Sequence, residues 1–155
     1  MHQRDRRGMN TTTASSRLRL VLTANAAFSA VGGLVAVVAA SWVSRELGID
    51  HVVLTRVLGA GLILFAVQVL AIARAREPRL LQESLLVSLA DAGWVIGTIA
   101  VVASGVLTTA GNVVAIVIGL AVADFGTLQL IFRSRVRAAT PCLLYTSPSP
   151  RDRYI

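Results

Sequence analysis

Apolar residues in this chain run in blocks of about twenty rather than in alternating or striped patterns. A helix rises about 1.5 Å per residue, so a block of that length crosses a hydrocarbon core of about 30 Å. Four such blocks are present, at about residues 20–43, 53–73, 85–103 and 112–132. Their connections are short and polar or Gly-rich: SRELGIDH, RAREPRLLQES and SGVLTTAG. Pro78 falls where a proline is tolerated, between two helices or in the first turn of the third. Gly111 and Asn112 form a turn signal ahead of the fourth. The pattern predicts an all-α, membrane-embedded four-helix bundle over residues 20–137, preceded by a basic arm at 1–19.

Composition agrees with that class. Apolar residues make up 55% of the 155 and charged residues only 15%, against about 25% charged in soluble domains. A soluble globular enzyme, a disordered chain and a disulfide-stapled secreted domain are all excluded. The basic residues, every one an arginine, set the expected orientation. Arg4, Arg6, Arg7, Arg17 and Arg19 lie in the arm, Arg74, Arg76 and Arg79 in the middle loop, and Arg133, Arg135 and Arg137 after the fourth span. The first loop holds only Arg45, offset by Glu46 and Asp50, and the third holds no charge. The positive-inside rule then places both termini and the middle loop in the cytoplasm, in a bacterial inner membrane. The first apolar stretch is longer than a signal-peptide core, so it is read as a retained span. The arm reads as an orientation signal with attraction to anionic lipid. No nucleic acid partner is expected, because no basic fold with interleaved aromatics stands behind it.

From Cys142 the composition changes abruptly to CLLYTSPSPRDRYI. Residues 142–152 resemble the in-frame translation of a sequencing-library adaptor. The tail 142–155 is therefore expected to be non-native, with the native coding sequence interrupted near Pro141. The only cysteine goes with it.

The spans carry parallel segments, read as an internal duplication, with coincidence within an Ala-, Val-, Leu- and Gly-rich vocabulary as the alternative. ANAAF at 24–28 parallels ADAGW at 90–94, and VAVVAA at 35–40 parallels IAVVAS at 99–104. The second and fourth spans align Gly59 with Gly119, Phe65 with Phe125, and Gln68 near Gln129. Two helical hairpins repeated in the same orientation would give a pseudo-symmetric bundle.

Candidate chemistry lies within the spans, where a charge costs several kcal/mol and so points by default to function. Two carboxyls lie there, Asp91 and Asp124, each about 10 Å from the basic end. Asn25 and Gln68 fall at about 8 Å, so each helix places one polar side chain in a common layer: Asn25, Gln68, Asp91 and Asp124. Ser84, Ser88, Asp91 and Thr98 share one helix face, as do Asn25, Ser29, Gly32 and Ala36; Gly61 aligns with Gln68. The layer is read as hydrogen-bonded packing between helices. The alternative is a small proton- or cation-coupled transporter or channel with Asp91 and Asp124 as its site. Arg56, near the outer end of the second span, is expected to snorkel outward, and Trp42 to anchor at the interface. Gly93 and Gly97 form a GxxxG pattern on the helix face opposite Asp91, a surface for close helix packing and a homodimer.

No enzymatic activity and no cofactor are expected. Outside the tail there is no cysteine pair for redox work. His2 and His51 lie outside the spans, where neither can ligate an intramembrane haem. Two Asp residues alone make a thin metal site. No nucleophile has a base partner, and no glycine loop cradles phosphate.

Three motifs together resemble the uncharacterised small four-span integral membrane proteins of bacteria. They are Asn25-x-x-Phe28 followed by glycine, Leu58-Gly-x-Gly-Leu-x-Leu-Phe-Ala66, and Asp91-x-x-Trp94. The resemblance covers about residues 20–137 and implies the four-span fold, with no established activity to carry over. The expected role is therefore structural or interacting, with the lipid bilayer as a partner and any ion or small-molecule substrate unspecified.

Overall fold

The structure, a computed structural model, describes residues 2–139, with side chains from 13 to 138. The tail at 142–155 lies outside the described residues. Five helices account for the fold: α1 His2–Val38, α2 Ala40–Leu47, α3 Val52–Ala73, α4 Glu77–Ala103 and α5 Thr109–Ala139. Four helical stretches are long and apolar enough to cross a membrane: Thr13–Val38, Val52–Ala73, Glu77–Ala103 and Thr109–Ala138. In each, only 17–28% of the apolar window is buried inside the protein. Most of each helix thus turns apolar side chains outward, which is stable in hydrocarbon and not in water.

The first span differs from the sequence expectation at both of its ends. The first span does not run unbroken to residue 43. It breaks at Ala39 (φ −102°, ψ 27°), although Ala39 N–H still donates to Val35 O and Val43 N–H to Ala39 O. The short α2 then ends in a left-handed Gly48 (φ 78°), with Ile49 N–H donating to Ser44 O at 2.8 Å. That is a Schellman closure, which glycine adopts without Cβ strain. At the other end, the helix extends back through the basic arm. Ala14 and Leu18 are buried, so the last residues of the arm belong to the bundle. Pro78 stands as the second residue of α4, where its missing N–H breaks no helical bond.

The helices pack as two hairpins, α1 on α3 and α4 on α5, joined chiefly through α1 against α5; α3 meets α4 only thinly. This puts α1 and α4 on one diagonal of the bundle and α3 and α5 on the other. Along the axis the interior has three levels. At the arginine-rich end Leu18, Leu22, Ala26, Val69, Ala73, Leu80 and Val87 form an aliphatic cluster flanked by Phe65 and Phe132. Two arginines finish that end: Arg19 Nη1 donates to Ala73 O at 2.5 Å, and Arg133 Nε donates to Leu81 O at 2.8 Å. A polar level follows. Nearest the far end the backbones come closest. A Cβ on Gly59 would stand 2.7 Å from Gly33 O, and one on Gly33 would stand 2.7 Å from Gly59 O. The partner of Gly59 across this crossing is Gly33; Gly32, which the sequence puts on the face of Asn25, meets nothing within 4 Å. Beyond the crossing, Ser44 and Thr55 share a hydroxyl hydrogen bond at 2.7 Å, and Thr108 N–H donates to Leu47 O at 3.1 Å, tying together the two loops at the end away from the arginines.

The α1–α3 crossing makes a clean prediction. Gly59→Ala forces the backbones apart and is expected to cost about 1–3 kcal/mol, as overpacking does. Gly61→Ala, on an open face of the same helix, should change stability by less than about 0.5 kcal/mol. Reversible unfolding of both variants in detergent micelles measures the difference; equal effects would contradict the crossing.

Candidate functional site

The polar level is centred on Asp91. The periodicity of α4 puts Leu80, Ser84, Val87, Ser88 and Asp91 on its buried face. The Asp91 carboxyl is 3% exposed, and its Oδ2 accepts two hydrogen bonds at 2.9 Å, from Asn25 Nδ2 on α1 and from Gln129 Nε2 on α5. Both donors are 0% exposed. The carboxamide oxygens are used as well. Ser88 Oγ lies 3.1 Å from Gln129 Oε1 and also 3.1 Å from Ser84 O, and Ser29 Oγ donates weakly to Asn25 Oδ1 at 3.5 Å. One carboxyl thus connects three helices, and every polar atom of its two partners finds a mate, as a buried network requires.

Asn25 and Asp91 are equivalent positions in the repeated sequence, ANAAF and ADAGW. Their bond crosses the bundle along the α1–α4 diagonal. Phe28, three residues after Asn25, meets Phe125 of α5 at a tilt, with ring centroids 5.7 Å apart. Trp94, the counterpart of Phe28, buries its indole Nε1 without a hydrogen-bond partner among the described residues.

Of the four residues expected in the layer, the structure brings two together. Gln68 and Asp124 are exposed on the outside of α3 and α5. Their depth along the helix matched the layer, but their direction around the helix did not. On α3 the inward face carries Thr55, Gly59, Ala66, Val69 and Ala73; Gln68 and Gly61 do share a face, and it is the outer one. On α5 the inward face carries Val122, Gly126, Gln129 and Val136, leaving Asp124 on the opposite side. Gln129 is the residue the layer reading missed. The spacing Gly119, Val122, Gly126, Gln129 signals it, because small residues at steps of three and four mark the face that meets a neighbouring helix. Gly126 packs directly on Asp91, with room for a Cβ at 3.5 Å from the Asp91 Cβ.

A Cβ on Gly93 or on Gly97 would meet no atom of another helix within 4 Å among the described residues. They lie on an open outer face of α4 and take no part in packing the bundle itself. Arg56 is exposed, and Trp42, in α2 just beyond the first span, is 56% exposed.

A side pocket of about 300 Å³ reaches the polar level from outside, between α4 and α5. Asp91 and Ser88 form its polar wall on α4, and Thr127 lines it from α5. Among the described residues no cluster of three or more His, Cys, Asp or Glu residues could hold a metal ion.

Comparison of the chain with protein-family models, with curated proteins and with solved structures finds no match.

Asn25→Leu removes one of the two donors to Asp91 and is expected to destabilise the protein by about 1–3 kcal/mol, the usual effect of stranding a buried acceptor. Gln68→Leu should be neutral or slightly stabilising, since it takes an amide off the apolar outer surface. Unfolding in mixed micelles compares the two; a neutral Asn25→Leu would contradict the site.

Proposed function

We propose that this integral membrane protein acts without catalysis, in a structural or interaction role, in a bacterial inner membrane with both termini cytoplasmic. The observation that carries the reading is the separation of its two intramembrane carboxyls. Asp91 faces inward and is held by two carboxamides, which fits a tie between helices. Asp124 faces outward in the middle of α5, so it is not available to form a coupled pair with Asp91 inside the bundle.

An outward carboxyl in hydrocarbon is costly unless another protein surface covers it or it finds a polar partner. The outer face of α3 adds Gln68, and that of α4 adds Gly93 and Gly97, where a second helix can approach closely. These features support association within the membrane, and a second copy of this chain is the partner the reading commits to. The arginine asymmetry supports the orientation.

Energy transfer between donor- and acceptor-labelled copies, measured as the protein is diluted into lipid vesicles, tests this reading. Transfer above that of random mixing is expected, and Asp124→Leu should weaken association at least fivefold. Transfer at the random level for the unaltered chain would contradict it.

A further inference from the structure

The pocket between α4 and α5 has a chemical bias that the helix tie does not use. Both amide donors to Asp91 converge on Oδ2, while Oδ1 takes no hydrogen bond among the described residues. The other two polar groups on the wall have also committed their hydrogens. Thr127 Oγ1 donates to Ala123 O at 2.8 Å, and the Ser88 hydroxyl is within 3.1 Å of two acceptors, Ser84 O and Gln129 Oε1. With Asp91 ionised, what Asp91, Ser88 and Thr127 offer a ligand is lone pairs, with no donor among them.

Charge points the same way. Among the described residues the one ion pair is Arg79–Glu83 at the surface, so no arginine neutralises Asp91. An ionised carboxyl in low dielectric with only neutral partners is stabilised by a cation beside it, and an amine that takes the carboxyl's proton supplies that cation. The rest of the wall, including Val95, Ile96 and Leu130, is apolar, and the pocket opens on the outer surface of the bundle. An occupant arriving from the bilayer must then be a cation with several N–H donors on an apolar body.

We propose that this pocket binds a primary alkylammonium, its head among Asp91, Ser88 and Thr127 and its chain along Val95, Ile96 and Leu130. The volume of about 300 Å³ lies at the small end of ligand pockets and suits a short chain. A quaternary ammonium of the same length has the charge but no N–H, and so discriminates the hydrogen-bonding claim from simple charge attraction.

Equilibrium dialysis of octylammonium against phosphatidylcholine nanodiscs, with and without the protein, tests the proposal. One saturable site per chain is expected beyond the uptake of empty nanodiscs, with octyltrimethylammonium at least tenfold weaker. Asp91→Asn should weaken octylammonium binding at least tenfold. Because that change also touches the helix tie, Ala123→Phe is the second variant: it fills the pocket from its α5 wall and should abolish the saturable site while leaving the unfolding midpoint unchanged. Uptake no greater than that of empty nanodiscs, equal binding of the quaternary probe, or unaltered binding in Ala123→Phe would each overturn the proposal.

Discussion

The bundle depends on one carboxyl that hydrocarbon leaves no other way to satisfy. In water, Asp91 would trade its partners for solvent and the helices would gain little from it. Between lipid-facing helices there is no solvent to trade for, so the two amide bonds to Oδ2 must form or their loss be felt in full. Because the donors come from α1 and α5 while the acceptor sits on α4, the interaction fixes rotation as well as distance. A turn of α4 by one residue, about 100°, would carry Asp91 out of reach of both.

The other levels of the interior are arranged around that constraint. At the arginine-rich end leucines, valines and alanines fill the interior. Toward the opposite end the Gly33–Gly59 contact draws α1 and α3 together until their backbones meet. The equivalent crossing of the second hairpin is looser: Gly119 lies against Thr98, at 3.1 Å from a built Cβ to the Thr98 methyl. The two halves therefore share a plan while differing in closeness. This accords with the thin contact between α3 and α4 and with a side pocket that opens on the second hairpin, between α4 and α5.

The four spans were legible because hydrophobic length is a property of the sequence alone, and the helices found at Val52–Ala73 and Glu77–Ala103 contain the blocks expected there. The break at Ala39 was not legible, since neither proline nor glycine marks it. Asn25 and Asp91 could be placed by depth and by the serines that share their faces. Gln68 and Asp124 could not, because depth fixes a residue's level and says nothing of its direction. With nearly every residue of a span apolar, the usual contrast between wet and buried faces disappears. Direction then has to be read from small residues, and on α5 the series Gly119, Gly126 and Gln129 held that information.

The most direct measurement is a double-mutant cycle on the tie, with Asp91→Leu, Gln129→Leu and the pair compared by reversible unfolding in micelles. Intramembrane side-chain hydrogen bonds are worth about 0.6–2 kcal/mol, so the account predicts a coupling of about 1 kcal/mol between the two positions. Effects that add to within about 0.3 kcal/mol, as for independent sites, would show that Asp91 and Gln129 do not hold each other and would contradict it.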